Sequence, residues 1–179
     1  MRNFSNGILR SSRAGYVIGA LACAGLLAFA LYLQYHEFQD PCPLCILQRI
    51  AFIALMVVFA VAAIHGPTQV GIYVYSFLLG AIELFGGSVA ARQVWLQHLP
   101  ADRVPACGPG LDYMLDRFPL TLALQKILKG SGECAEVSWR FMGLSIAEWS
   151  LVWFILLAAL VLSIALRAPN SDPPPATSS

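Results

Sequence analysis

The stretch Asp40-Pro41-Cys42-Pro43-Leu44-Cys45 runs directly into an apolar segment from Ile46 to His65. About 20 predominantly apolar residues are enough for a helix to cross a bilayer. Proline commonly occupies the first position of a helix, so Pro43 places Cys45 near a helix N-terminus. The stretch therefore predicts two cysteines at the start of a membrane-spanning helix.

Three further apolar segments give the chain four predicted spans. The composition agrees, because 58% of the 179 residues are hydrophobic and only 12% are charged, whereas a soluble domain carries about 25% charged residues. The mean hydropathy is +0.69, and a net charge of +1 gives no indication of a nucleic-acid partner. We expect an all-α membrane protein whose residues 1–167 form a single four-helix bundle. The predicted spans are 14–34, 46–65, 70–91 and 145–166.

The charges around the first span predict its orientation. Three arginines precede this span, and the segment between it and Pro41 has no Lys or Arg. The positive-inside rule therefore predicts a cytoplasmic N-terminus. Four crossings then place both termini in the cytoplasm and two loops on the outer side, a short one at 35–45 and a long one at 92–144.

Two segments outside the spans have their own patterns. The long loop contains Leu111 to Leu128, an amphipathic stretch interrupted at Pro119. It is too short and mixed to span, so we expect a helix in the outer interface or packed on top of the bundle. Residues 168–179 are rich in proline and small polar residues, which predicts a disordered cytoplasmic tail.

Cys42 and Cys45 have the C-x-x-C spacing of redox and metal sites. The dipole and unpaired N–H groups at a helix N-terminus favour a thiolate at Cys45. Arg49 follows one turn later on the same face. An arginine at the edge of the hydrocarbon layer usually lines a polar site, where it would hold the thiolate, a carbonyl-bearing cofactor or both. The alternative is that Arg49 only extends to the lipid headgroups.

A metal site at this pair is disfavoured, and we expect none. The sequence has no second C-x-x-C, and neither His36 nor His98 is well placed to complete a ligand set. Ile46 instead of histidine follows Cys45, so the haem-attachment pattern is absent. Cys23 lies among alanine and leucine within the first span, where we expect a small buried apolar side chain.

Cys107 and Cys134 form a widely spaced second pair within the long polar loop. The turn residues around Cys107 predict a flexible, exposed loop. The glycine-rich flanks of both cysteines leave them mobile, so that they can approach each other or the thiol of a protein partner without a fixed geometry. Flexibility favours thiol–disulfide exchange with each other or with another protein. A structural disulfide closing this loop would instead stabilise the fold by about 3 kcal/mol. The residues alone leave both interpretations open.

The combination of motifs resembles one known family, the disulfide bond formation protein B (DsbB) family. The resemblance rests on the four spans, on Pro41-Cys42-Pro43-Leu44-Cys45 with Arg49, and on Gly132-Glu133-Cys134-Ala135-Glu136 with Trp139 close behind. It covers nearly the whole chain apart from the tail. Such proteins are bacterial inner-membrane, quinone-dependent protein thiol:disulfide oxidoreductases. They reoxidise the periplasmic dithiol oxidase DsbA and pass the electrons to a quinone.

The resemblance implies a role for each of four cysteines. Reduced DsbA would attack the Cys107–Cys134 disulfide at Cys107 and form a mixed disulfide there. The released Cys134 would attack Cys42 and free Cys45. Cys45 would then reduce the quinone, ubiquinone or menaquinone, with Arg49 beside it.

The resemblance also suggests further quinone contacts at the end of the third span. Arg92 and Gln93 lie there, although some family members carry a histidine about where Gln93 stands. Arg92 has the alternative role of an interface anchor. Glu83 is deeper in the same span, where it is either protonated, bonded to a neighbour or part of a proton relay.

The implied setting is a monomer in the bacterial inner membrane with both loops in the periplasm. One rival hypothesis is a non-enzymatic four-helix membrane protein with structural disulfides in its outer loops. Another is a carrier that delivers reducing equivalents outward. The second rival needs cysteines reachable from the cytoplasm, and only Cys23 lies within the bundle.

Overall fold

The structure is a computed structural model that describes residues 12–36, 41–104, 132–135, 137 and 139–167. Three sequence predictions concern residues outside these ranges. They are the role of Cys107, the amphipathic segment between Leu111 and Leu128, and the tail at 168–179.

Four long helices make up most of the described chain, and each is long and apolar enough to cross a membrane. This confirms the predicted all-α, four-helix membrane fold. A short helix and a two-stranded antiparallel hairpin precede the last long helix. In chain order the elements are α1 (Ser12–His36), α2 (Pro43–His65), α3 (Gln69–Gln97), a 3₁₀ turn (Ala101–Arg103), α4 (Gly132–Ala135), β1 (Arg140–Phe141), β2 (Leu144–Ser145) and α5 (Ile146–Arg167).

Helix α2 begins at Pro43, ahead of the span predicted from Ile46, because proline suits the first position of a helix. Cys42 is the N-cap residue, with an extended backbone, and its Sγ accepts a hydrogen bond from the Cys45 N–H at 3.4 Å. Gly66 ends the helix in the left-handed region at φ 58°. A side chain there would also collide with the Arg13 guanidinium.

Helix α3 continues past Ala91, the end of its predicted span, to Gln97. Arg92 and Gln93 therefore lie within the helix and not at the start of a loop. Hydropathy falls after Ala91, but no glycine or proline interrupts the helix before Pro100. The end of the apolar run at Ala91 therefore predicts where the membrane span ends, whereas the helix itself continues to Gln97.

The long helices pack most extensively as the pairs α1–α2, α3–α5 and α2–α3. Phe52 of α2 stacks on Phe154 of α5, with ring centroids 4.3 Å apart. A Cβ at Gly86 of α3 would collide with the Phe154 ring, so glycine permits the close approach of α3 and α5. Cys23 is fully buried in the same core, which confirms its predicted apolar role.

The start of α5 is a capping box formed by Ser145 and Glu148. The Ser145 Oγ accepts from the Glu148 N–H at 3.3 Å, and a Glu148 carboxylate oxygen accepts from the Ser145 N–H at 2.6 Å. The Ser145 hydroxyl also donates to Gln97 Oε1 at 2.7 Å. The beginning of α5 is thereby tied to the end of α3.

Candidate active site

Cys42 and Cys45 lie side by side because they belong to the first turn of α2 and its cap. Their sulfurs are 3.1 Å apart, with the Cys42 thiol donating to Cys45 Sγ. The sulfur of Cys45 thus accepts a hydrogen bond and lies at the N-terminus of α2, which is the positive end of the helix dipole. This arrangement favours negative charge on Cys45 and a proton on Cys42.

Cys134 joins this pair, although it lies far away in sequence. It is fully buried against Leu44, Val89 and Leu96, and the Cys42 thiol hydrogen-bonds to it. The sequence interpretation took Cys134 to face a protein partner, whereas the structure buries its side chain completely. The short helix α4 packs against α2 and α3, and a cysteine side chain behaves there as a small apolar group.

The environment of Cys42 holds it in the thiol form. Its hydrogen bonds to Cys134 and then to Cys45, together with burial, raise the pKa of the Cys42 thiol. A donated hydrogen bond stabilises the protonated state, and burial disfavours the charged state. The sulfurs of Cys42, Cys45 and Cys134 therefore lie together. The proton is favoured on Cys42, and negative charge is favoured on Cys45.

Gln93 provides the amide that faces these sulfurs. Its Nε2 lies 3.2 Å from Cys45 Sγ and 3.4 Å from Cys42 Sγ. Its Oε1 accepts a hydrogen bond of 2.7 Å from Nε2 of Gln48. Both glutamines are buried. Sequence reasoning selected Gln93 but missed Gln48, a polar residue in an apolar helix that must find a buried partner.

Arg49 lies on the same helix but turns toward α1. Its guanidinium donates to Gln34 Oε1 and, at 3.2 Å, to the carbonyl oxygen of Ala30. Both hydrogen bonds hold it at the wall of a cavity that Cys45 also lines. This position differs from that of an arginine extended only to lipid headgroups.

The cavity has a volume of about 500 Å³ and opens beside the sulfurs. Its polar wall includes Cys42, Cys45, Arg49 and Gln93, and much of the rest is aromatic. The hairpin contributes to that aromatic wall, because Trp139 stacks on Phe141 at 5.9 Å and the Trp149 indole N–H donates to the Phe141 carbonyl. The aromatic lining residues are Phe29, Phe52, Trp139, Phe141, Trp149 and Trp153.

Two other predicted residues lie elsewhere. Arg92 is not among the described residues that line the cavity, and its guanidinium lies 4.3 Å from the centre of the Trp95 ring. Trp95 is half-exposed, so this pair suits an interface anchor. Glu83 is buried at 4% exposure, and neither carboxylate oxygen has a hydrogen-bond partner among the described residues. Within those residues, no cluster of His, Cys, Asp and Glu forms a metal site.

Comparison with known proteins gives a consistent family match. The family model described as disulfide bond formation protein DsbB matches residues 12–164. A protein of Hahella chejuensis named disulfide bond formation protein B is 52% identical over 160 residues, covering 89% of this chain and 97% of the relative. Proteins of the same name from Nitrosococcus oceani and Methylococcus capsulatus are 52% and 49% identical, covering 85% and 86% of this chain and 90% and 94% of the relatives.

Proposed function

This chain belongs to the disulfide bond formation protein DsbB family, and on that premise we propose that it reoxidises a periplasmic DsbA-type dithiol oxidase and passes the electrons to a membrane quinone. It is a multi-pass membrane protein of disulfide bond formation. One observation carries the finer proposal. Cys42, Cys45, Cys134 and Gln93 gather at one end of the bundle, beside a cavity with an aromatic wall.

The first half of the reaction is thiol–disulfide exchange. A partner thiolate attacks Cys107 of the Cys107–Cys134 disulfide, which forms a mixed disulfide and releases Cys134 as a thiolate. Cys134 then attacks Cys42 of the Cys42–Cys45 disulfide and releases Cys45 as a thiolate. The partner's second thiol resolves the mixed disulfide, so the partner leaves oxidised and Cys107 carries the electron pair. The hydrogen bond between Cys42 and Cys134 supports the second exchange.

The second half restores the starting disulfides. Cys107 attacks Cys134 of the Cys42–Cys134 disulfide, which re-forms the Cys107–Cys134 bond and leaves Cys42 and Cys45 reduced. Re-forming the bond between Cys42 and Cys45 releases two electrons and two protons. Gln93 and the α2 N-terminus stabilise charge on Cys45, while Cys42 retains its proton until the bond forms.

The donor set fits a quinone. A quinone has a flat apolar ring with two carbonyl oxygens, and the cavity pairs aromatic walls with N–H donors from Arg49 and Gln93. These two side chains would hold the carbonyl oxygens, while Trp139 and Trp149 would contact the ring. When bound, the quinone supplies an acceptor for two electrons and two protons. Arg92 stays a predicted contact, with no described place at the cavity.

The experiment mixes the full chain in detergent with a reduced DsbA-type protein and a soluble quinone, and follows quinone absorbance. We expect quinone reduction that requires both the partner and the chain. Cys45→Ser should reduce the rate to background because it removes the sulfur that releases electrons into the cavity. Cys23→Ala is the matched control, since Cys23 is a buried core residue outside the site, and it should retain the wild-type rate.

Absence of quinone reduction by the wild-type chain, or full activity in Cys45→Ser, would overturn the proposal. A trapping experiment separates the steps. A reduced partner whose second active-site cysteine is replaced by serine should accumulate a mixed disulfide with Cys107 of the wild-type chain, visible on a non-reducing gel. Its first thiolate breaks the Cys107–Cys134 bond, and the thiol that would resolve the mixed disulfide is missing. The non-enzymatic alternative predicts no such adduct and full tolerance of Arg49→Ala.

A further inference from the structure

Gln48 is a buried polar residue that the proposed electron pathway does not use. It lies in the second turn of α2, directly before Arg49, and only 3% of it is exposed. Its Nε2 donates to Oε1 of Gln93 at 2.7 Å, the shortest of the hydrogen bonds described for the Gln93 side chain. A buried hydrogen bond between two side-chain amides fixes the orientation of both amide groups.

The orientation of the Gln93 amide decides whether its N–H donors or its carbonyl oxygen contact the two sulfurs. Because its oxygen is engaged by Gln48, its NH₂ group faces Cys45 at 3.2 Å and Cys42 at 3.4 Å. The Gln93 oxygen also accepts a longer hydrogen bond from the Cys45 thiol, at 3.6 Å. The reverse orientation would remove both N–H donors from the sulfurs and leave only the carbonyl oxygen, and an acceptor cannot stabilise a thiolate.

We propose that Gln48 is a positioning residue that holds the Gln93 amide with its N–H donors on Cys45 and Cys42, and so stabilises the Cys45 thiolate during electron transfer. This inference rests on the proposed function and deepens it. It assigns Gln93 a role toward the sulfurs in the absence of a quinone, whose carbonyl oxygen would take one of the same two N–H donors.

Two variants remove the constraint in different ways. Gln48→Met keeps an unbranched side chain of similar length but has no N–H donor for Gln93. Gln48→Glu introduces an acceptor at the same place, which attracts the Gln93 NH₂ group and turns its oxygen toward the sulfurs. If one of these variants fails to fold, the other still tests the proposal.

The measurement is the pH profile of Cys45 alkylation by iodoacetamide in the reduced full-length protein, quantified by peptide mass spectrometry. It needs neither a quinone nor a protein partner. The other titratable or charged groups described around Cys45 are Cys42, Cys134 and Arg49, and all three are present in every variant. Gln48→Glu adds a carboxyl group, so Gln48→Met is the variant that leaves the charges unchanged. A hydrogen bond to a charged group is strong, so we expect the midpoint to move upward and alkylation at neutral pH to slow about tenfold.

A double-mutant cycle tests whether Gln48 acts through Gln93. Gln93→Met alone should slow alkylation to a similar degree, and adding Gln48→Met should cause no further change. Gln97→Met is the matched control for the alkylation profile, because Gln97 lies one turn along α3 and contacts Ser145. Its midpoint should match the wild type.

Unchanged alkylation profiles in both Gln48 variants would overturn the inference. Additive effects of the Gln48 and Gln93 substitutions would overturn it as well, since Gln48 would then act independently. These outcomes differ from failure of the proposed function, in which the wild-type chain reduces no quinone while its alkylation profile is still measurable.

Discussion

The two ends of the helix bundle are built on different principles. At the end of the bundle that carries Cys42, Cys45 and Cys134, here called the cysteine end, the amide of Gln93 and the sulfurs of Cys42 and Cys45 line a cavity of about 500 Å³. At the opposite end, Tyr16 and Phe59 are fully buried, and a Cβ on Gly19 would come within 2.7 Å of the Phe59 ring. The difference indicates that the end around Tyr16 and Phe59, here called the filled end, stabilises the fold. The cysteine end has space for a bound molecule beside its sulfurs.

Helix α2 contains this division within a single element. Gln48 and Arg49 lie in its second turn, whereas the residues that follow are apolar up to His65. Polar groups within a membrane are costly and usually functional. Their restriction to one end leaves the remaining turns of α2 to apolar packing. Substitutions at the two ends should therefore affect different measurable properties.

The largest expected effect on stability is at the filled end. Phe59→Ala should lower the free energy of unfolding by about 3–5 kcal/mol, because it leaves a cavity in a fully packed site. SDS-induced unfolding followed by tryptophan fluorescence measures this change. Val57→Ala is the control, since Val57 is 51% exposed on the same helix, and it should have a small effect. A comparable loss in both variants would contradict the division between the ends.

Glu83 lies outside the polar cluster and tests whether burial alone implies function. Glu83→Leu should raise the free energy of unfolding by about 2 kcal/mol, because it removes a buried carboxyl group without a described hydrogen bond. The same unfolding titration provides the value, with Glu83→Gln as the polar control. An unchanged stability together with slower quinone reduction would instead support the proton-relay hypothesis.

Arg49→Met should affect binding more than folding. Loss of a cation at the cavity wall should raise the KM for a soluble quinone about tenfold, equivalent to about 1.4 kcal/mol. Initial rates at varied quinone concentration measure it. Arg92→Met tests the remaining predicted contact in the same assay. An equal rise in KM would assign both arginines to the quinone, whereas an unchanged KM would leave Arg92 as an interface anchor.

The smallest effect is expected at the cap of α5. Ser145→Ala should cost about 1 kcal/mol of unfolding free energy, because Ser145 caps the helix and contacts Gln97. Thermal unfolding in detergent detects the change. Ser88→Ala is a suitable comparison, since the Ser88 hydroxyl donates back to the Phe85 carbonyl oxygen within the same helix. A loss as large as that of Phe59→Ala would mean that the cysteine end also carries much of the stability.

The fold could be predicted because each membrane span is determined by the length and hydropathy of one continuous segment. The end of α3 could not, because hydropathy falls at Arg92 while the backbone continues as a helix to Gln97. The capping box of Ser145 and Glu148 has a readable spacing, yet the sequence interpretation did not use it. Local patterns thus locate spans more securely than helix ends.

Parts of the site depended on contacts between distant segments. Cys42, Cys45 and Arg49 could be selected because they lie close together in sequence, at the cap and in the first two turns of one helix. The burial of Cys134 could not be predicted, since its glycine-rich flank gives no sign of the α2 and α3 surfaces that cover it. Gln48 was missed because its partner, Gln93, belongs to a different helix.

The contact between Cys42 and Cys134 has a topological consequence. A bond between these two sulfurs would close a covalent ring that encloses all of α2 and α3, whereas a Cys42–Cys45 bond closes only a small loop. In unfolded chains, a large ring reduces hydrodynamic size far more than a small one. The successive redox isomers of the proposed relay would therefore have different electrophoretic mobilities after alkylation and denaturation, so that gel position alone would report how far the electrons have travelled.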